Sequence, residues 1–295
     1  MVNLVRIVLG VLTAIYAVMF GKDYVASSKN GLLEAEEEKS WIKPGIIGFI
    51  ANFGDTLGIG SFAPIVAMSK FSKMKVHDKQ IPGMLNVSCT IPVVTEALIF
   101  TTTIEVEPIT LITMLAAAGA GSYIGAGIIS KMDEKKIQLV MGIALLATAI
   151  LMFLGLPWIN LMPGGGNEIG LSGVKLVIGI VGNFILGALM TAGIGLYAPC
   201  MALVYFLGMS PKVAFPIMMG SCAVLMPIAS AKFIKEGQFP RKASLAITIG
   251  GVIGVFIAAY LVKSLPMDIL KVLVIIVILY TSFTMLKPVL SKKQA

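Results

Sequence analysis

Apolar stretches recur along almost the whole chain, at about 4–20, 44–69, 81–102, 108–130, 137–155, 173–209, 212–231, 243–262 and 268–286. Short polar loops separate them. A helix needs roughly 20 such residues to cross a bilayer. Only helices and closed barrels keep every backbone group bonded inside lipid. A soluble fold has no interior for this much apolar surface: 57% of the residues are hydrophobic and the mean hydropathy is +0.95. Charged residues make up 13%, against about 25% in soluble domains. The expected fold is therefore all-α, a polytopic membrane bundle. Residues 4–20 have the apolar character of a signal peptide, but no convincing small-residue cleavage site follows, so they read as an extra uncleaved helix.

The net charge of +8 sits in short loops, which points to contact with anionic membrane lipid. Nucleic acid is excluded as a partner because no basic stripe or stacking platform accompanies the charge. Cys89, Cys200 and Cys222 all lie inside apolar stretches, with neither a disulfide framework nor a metal spacing. The lone histidine, His77, lies in a basic loop. No metal site and no cofactor are expected. The run Glu36, Glu37, Glu38 reads as a solvated face of an amphipathic linker spanning 21–43. Gly164, Gly165 and Gly166 imitate a phosphate loop, but no Lys-Ser/Thr follows, so 156–172 reads as a flexible loop.

An internal repeat divides the rest. Gly58-Ile59-Gly60-Ser61-Phe62-Ala63-Pro64 matches Gly193-Ile194-Gly195-Leu196-Tyr197-Ala198-Pro199. Gly48 and Asn52 upstream have counterparts in Gly179 and Asn183. Downstream, each half has an X-Pro helix start (Pro82; Pro216), a Ser-Cys pair (Ser88-Cys89; Ser221-Cys222) and another proline (Pro92; Pro227). The next helices carry spaced glycines, Gly121 and Gly125 in one half and Gly250 and Gly254 in the other, which let backbones approach closely. The expected organisation is 1–43 as an extra helix plus charged loop, 44–155 as a first repeat, the loop 156–172, and 173–295 as a second repeat.

The repeated Gly-Ile-Gly-x-x-Ala-Pro predicts one helix stopping and another starting. Glycine disfavours helix interiors, and proline fits a first turn where its missing N–H has no partner anyway. Ser61 is the expected N-cap of the restarted helix. In the first half the arms 44–55 and 58–69, about 18 Å each at ~1.5 Å per residue, cover only part of a ~30 Å core, so the break belongs deep in the membrane. There, unwound backbone survives only against protein or a watery cavity. Paired broken helices mark the substrate site of duplicated transporters. A helix N-terminus favours an anion. The competing reading is that these glycines are packing notches.

Charge counting favours a particular topology. If every stretch crosses once, the 23 Lys and Arg residues divide almost evenly between the two sides. If 44–69 and 173–209 are hairpins that return to their own side, 18 fall on one side and 5 on the other. The positive-inside rule then prefers hairpins, with the two repeats inverted. Against this, the arm 173–191 is long enough to cross fully.

The candidate substrate-binding residues are Gly58, Gly60, Ser61, Gly193, Gly195, Tyr197, Asn52, Asn183, Ser88 and Ser221. For ion coupling they are Asp55 and Glu96. An intramembrane carboxyl costs about 2.5–3.5 kcal/mol on insertion scales and is functional by default. Asp55, beside the first break, would relay a proton, bind a cation or cap a helix. It repels an anion unless protonated or paired. Glu96 either couples or snorkels to the interface. Around the second break the nearest polar groups are Asn183 and Thr191, so the halves are not chemically equal. Ser88, Thr90 and Ser221 contact a substrate oxygen or bond their own helix carbonyls. Asn52 and Asn183 read first as polar glue for the unwound backbone. Tyr197 donates to a ligand or packs. Cys89 and Cys222 read as small hydrophobes, and Lys232 as a snorkelling helix end.

With these motifs in place, residues 44–286 resemble the sulfite exporter TauE/SafE family of membrane transporters. The resemblance rests on the duplicated glycine break before proline, the X-Pro and Ser positions, and small-residue helices leading to charged loops (Lys131–Lys136; Lys263–Lys271). It implies export of a sulfur-containing anion such as sulfite or an organosulfonate, from a multi-pass position in a cell membrane. Family members carry a richer glycine run at the break than Asp55-Thr56 and Ser61-Phe62 provide here. The implied function is secondary transport of a small anionic solute by alternating access; an anion channel or a transporter of a non-sulfur solute is the alternative. An enzyme is not expected, since no nucleophile–base pair is legible. A purely structural protein would not need deep polar breaks in both halves. A homodimer is compatible with all of this.

Overall fold

The structure, a computed structural model, describes residues 2–77, 80–129, 134–156, 158–159, 166–190, 196–264 and 267–290. These residues form α1 (Val2–Lys29), the short α2 (Leu32–Ala35), α3 (Ile42–Thr56), α4 (Phe62–Phe71), α5 (Ile81–Thr103), α6 (Pro108–Ile129), α7 (Glu134–Leu154), α8 (Gly173–Met190), α9 (Tyr197–Phe206), α10 (Ala214–Glu236), α11 (Arg241–Ser264) and α12 (Met267–Leu290). No strand occurs among the described residues. Five of the described segments are long and apolar enough to cross a membrane by length and composition: Val5–Lys29, Ile81–Thr103, Gly173–Met190, Pro211–Glu236 and Arg241–Leu261. This is a multi-pass membrane protein, as the apolar pattern predicts.

The chain forms two compact units, 1–100 with 222–261, and 101–221 with 262–295. They do not follow the repeat boundaries. In the first unit, α11 of the second repeat packs on α3. A methyl on Gly250 would lie 2.0 Å from the Gly45 carbonyl oxygen, and one on Gly254 2.4 Å from that of Phe49. In the second unit, α6 of the first repeat packs on α8, and a methyl on Gly121 would lie 1.9 Å from the Phe184 oxygen. Small residues allow both approaches. The side of α6 at Gly125 lies outside the described residues.

Each broken segment is a hairpin within its own unit. In the first, the start of α3 and the chain beyond α4 meet at Glu38. Its carboxylate lies 3.7 Å from Lys43 Nζ and accepts the Lys75 N–H at 3.1 Å. In the second, Ser210 beyond α9 donates its N–H to the Glu168 carbonyl before α8 at 2.9 Å. A methyl on Gly179, in the first half of α8, would meet Leu207, just past the end of α9, at 3.4 Å. The two hairpins differ in reach. With 15 and 18 residues, α3 and α8 are about 22 and 27 Å long at ~1.5 Å per residue.

Two loop expectations change. In the glutamate run only Glu37 is exposed, while Glu36 is half-buried and Glu38 buried. The Glu36 carboxylate accepts the Arg241 and Lys242 backbone N–H groups at 2.6 and 3.1 Å, capping α11 from a distant part of the chain. Glu37 pairs with His77 at 3.4 Å. These bonds gather the loops at 36–38, 75–77 and 241–242 at one end of the first unit. The described part of the loop before α8 is pinned rather than loose. Glu107 N–H reaches the Ile169 oxygen at 2.8 Å, Leu171 N–H reaches the Thr110 hydroxyl at 2.8 Å, and Gly166 backs onto the Gly208 carbonyl. Gly164 and Gly165 lie outside the described residues.

Candidate substrate and coupling site

The first break is built as the glycines predict. After α3, the Gly58 N–H bonds the Asp55 carbonyl at 2.7 Å and the Ile59 N–H bonds the Gly54 carbonyl at 3.0 Å. This is a Schellman ending with Gly58 in the left-handed region, φ +93°. Gly60, at φ +87°, turns the chain again before α4 starts. Pro64 falls in the first turn of α4, where its missing N–H costs nothing.

Ser61 occupies the N-cap position of α4 but makes no capping bond there. Its hydroxyl instead donates to Asp55 Oδ2 at 2.9 Å. The chain's own carboxyl thus stands at the start of the restarted helix, where an anion was expected. Asp55 is 2% exposed, and no cationic side chain pairs with it among the described residues. One residue on, the Thr56 hydroxyl lies 2.8 Å from Glu96 Oε1 on α5 and 2.9 Å from the Asn52 carbonyl one turn back. Glu96 is fully buried, so it does not snorkel; it bonds Thr56, the neighbour of Asp55 in α3. The Cys89 thiol lies within electrostatic reach of both carboxyls.

Asn52 is also fully buried. Its Nδ2 donates to the Gly48 carbonyl of its own helix at 2.8 Å, and its Oδ1 has no partner among the described residues. Ser88 contacts the Cys89 sulfur at 3.7 Å. The Ser88 carbonyl would bond residue 92 in a regular helix, but Pro92 has no N–H to give. The Thr248 hydroxyl of α11 fills that place at 2.8 Å. Thr90 turns to Ser230 of α10 at 2.9 Å.

At the second break, Gly193, Gly195 and Thr191 lie outside the described residues. The flanking α8 and α9 are described. Asn183 Nδ2 donates to the Met114 carbonyl of α6 at 2.7 Å and to Ser221 Oγ at 3.0 Å, and Ser221 donates to the Ile217 carbonyl at 2.7 Å. Asn183 Oδ1 is buried without a partner among the described residues, as at Asn52. Among the described residues both asparagines bond helical carbonyls, and the backbone of the second break, which Asn183 was expected to hold, lies outside them. Tyr197 opens α9 and is buried. Cys200 and Cys222 are buried thiols outside any disulfide, and among the described residues no His, Cys, Asp and Glu group could hold a metal.

Sequence reading missed Thr56 and Thr248. Thr56 had a signal, since it follows Asp55 and falls four residues after Asn52, on the same helix face. Thr248 had none. Pro92 announces an orphaned carbonyl at Ser88, but the hydroxyl that reaches it comes from another helix.

Multi-pass helices, two helical hairpins and buried polar groups beside the first break make an all-helical membrane protein with a candidate solute site. The profile of the sulfite exporter TauE/SafE family matches residues 2–152 and 175–295, so the chain belongs to that family of membrane transporters. No curated protein and no solved structure matches it.

Proposed function

We propose that this protein is a secondary transporter that exports a small sulfur oxyanion, sulfite or an organosulfonate, across a cell membrane by alternating access. The substrate class comes from the family. The observation that carries the mechanism is the buried acid pair at the first break, Asp55 with Ser61 and Glu96 with Thr56. Thr56 has one proton to give and two oxygens within 2.9 Å. A proton on Glu96, donated back to Thr56 Oγ, satisfies all three oxygens. Such a network favours a proton as the coupling ion.

In this reading Asp55 competes with a substrate anion for the start of α4 while it is charged, and protonation relieves the competition. Proton arrival and anion arrival are then linked by electrostatics alone. Gly58, Gly60 and Ser61 supply the first hairpin's contribution to the substrate path. Gly193, Gly195 and Tyr197 supply the second's. Asn52, Asn183, Ser88 and Ser221 line or brace it. The two hairpins would enter from opposite faces, as the positive-inside count prefers.

The test is flux in proteoliposomes of sulfite, sulfate, thiosulfate, sulfoacetate and a carboxylate control, with and without a pH gradient. Saturable flux of one sulfur oxyanion, accelerated by the gradient, is expected. Flux that neither saturates nor responds to the gradient would indicate a channel. No anion flux at all would remove the substrate assignment.

A further inference from the structure

An open groove of about 550 Å³ in the first unit is lined by Met19 and Lys22 of α1 and by Ala231, Lys232, Ile234 and Lys235 of α10. We propose that it holds an anionic phospholipid, with the phosphate among Lys22, Lys232 and Lys235 and an acyl chain against Met19, Ala231 and Ile234. This goes beyond the transport reading and does not depend on the substrate.

Three observations carry it. First, the three ammonium groups are exposed and make no ion pair among the described residues. Of the neighbouring acids, Glu236 is exposed at the end of α10 and makes no ion pair among the described residues, and two others are committed elsewhere. Asp23 takes Arg241 at 2.7 Å, and Glu36 takes the α11 N–H groups. Second, the groove's floor is fixed. Ile234 belongs to a buried cluster with Tyr16, Phe20, Val87 and Phe239, and the Tyr16 hydroxyl donates to the Val87 carbonyl at 2.5 Å. The apolar wall is thus a standing surface. Third, the lysines lie towards the C-terminal ends of both helices, while α1 leads away from them along exposed Val18, Ile15 and Val11. Charge at one end and a lipid-facing apolar track at the other match the two ends of a phospholipid.

A free phosphate would use the lysines but not the track. A zwitterionic lipid would use the track but carry a choline cation towards the lysines. An anionic lipid satisfies both, and juxtamembrane lysines are known to favour anionic headgroups.

The experiment titrates the purified full chain, in a neutral detergent, with phosphatidylglycerol, phosphatidylcholine and inorganic phosphate, and reads bound lipid by native mass spectrometry. The wild type is expected to retain one phosphatidylglycerol in preference to phosphatidylcholine. The triple variant Lys22→Gln, Lys232→Gln, Lys235→Gln is expected to weaken that binding on the order of a hundredfold, from about fivefold per lysine near a membrane surface. A charge-matched control, Lys29→Gln, Lys70→Gln, Lys73→Gln, is expected to keep it. Ala231→Trp, which fills the groove without touching charge, is expected to lose it. Equal loss in the control, full retention in the triple variant, or displacement of the lipid by millimolar inorganic phosphate would overturn the proposal.

Discussion

The two broken hairpins share a scaffold and differ in chemistry. Both place a fully buried asparagine on the first arm, Asn52 and Asn183, with the amide oxygen unpartnered among the described residues. Both press a small-residue helix from the other repeat against that arm. Both of those helices are also capped by a glutamate: α11 by Glu36, and α6 by Glu107, which accepts the Ile109 and Thr110 N–H groups at 3.0 and 2.6 Å. Beside the first break stand Asp55, Thr56 and Ser61, with Glu96 on the next helix. Counting from the paired asparagines, aligned breaks and prolines, the second repeat has Leu186, Gly187, Leu196 and Ala231 instead. Duplication explains the scaffold. The acids belong to one half only, which suits a division of labour in which one break handles a proton and the other leaves its helix start free for the substrate.

If the scaffold is shared, it breaks in the same way on both sides. A methyl at Gly48 would lie 2.3 Å from the Ile247 oxygen, and one at Gly187 2.1 Å from the Ala118 oxygen. Gly48→Ala and Gly187→Ala should each destabilise by about 1–3 kcal/mol through overpacking, read as thermal unfolding in detergent. A large loss at one site and none at the other would separate the two scaffolds. Gly58→Ala should cost about 1–2 kcal/mol, because alanine is strained at φ +93°, and it should lower flux along with stability.

A third test addresses something on the first side alone. Thr248→Val should cost about 0.6 kcal/mol, and at most about 1.7. In a Pro92→Ala background, where residue 92 regains its N–H, the same change should cost less, and a double-mutant cycle measures the difference. Equal costs in both backgrounds would show that Thr248 does not stand in for the missing donor.

The smallest effect concerns the base of the first hairpin. Burial by itself raises the Glu38 carboxyl. The Lys75 and Ser40 N–H bonds and the charges of Lys43 and Lys75 together outweigh it, holding the group below the ordinary glutamate value. A depressed carboxyl contributes stability above its unfolded pKa and loses it as the pH falls through the folded one. The protection of the Lys75 amide, its exchange rate relative to the intrinsic rate at each pH, should therefore fall as the solution is acidified through that range, and in Glu38→Gln protection should be low and unchanged there. Unchanged exchange in the variant would free the hairpin base from Glu38.

Sequence periodicity and punctuation were enough for the helices and the first break. Gly58, Gly60 and Pro64 act through the backbone, and backbone rules are local. The repeat made Asn52 and Asn183 visible as a pair. What stayed hidden depends on which helix lies against which. Ser61 looks like a cap because it precedes a helix, but only the folded turn brings Asp55 within reach of its hydroxyl. Glu96 looks interfacial by its place near a helix end, yet Thr56 holds it inside. Glu36 looks solvated in a run of three acids, while the N–H groups it caps lie some 200 residues away. The exchange of α6 and α11 between the compact units has no local signature at all.

The division of labour between the breaks is tested most directly by flux of the transported anion in proteoliposomes, with and without an inward pH gradient. The comparison sets the wild type beside Asp55→Asn and Leu186→Asn. The account predicts that Asp55→Asn loses the acceleration by the gradient while downhill flux of the anion persists, and that Leu186→Asn, the same exchange of shape at the matching position of the second half, keeps the gradient response. Undiminished gradient dependence in Asp55→Asn would contradict it, and the acid pair would then be a structural feature of the first break.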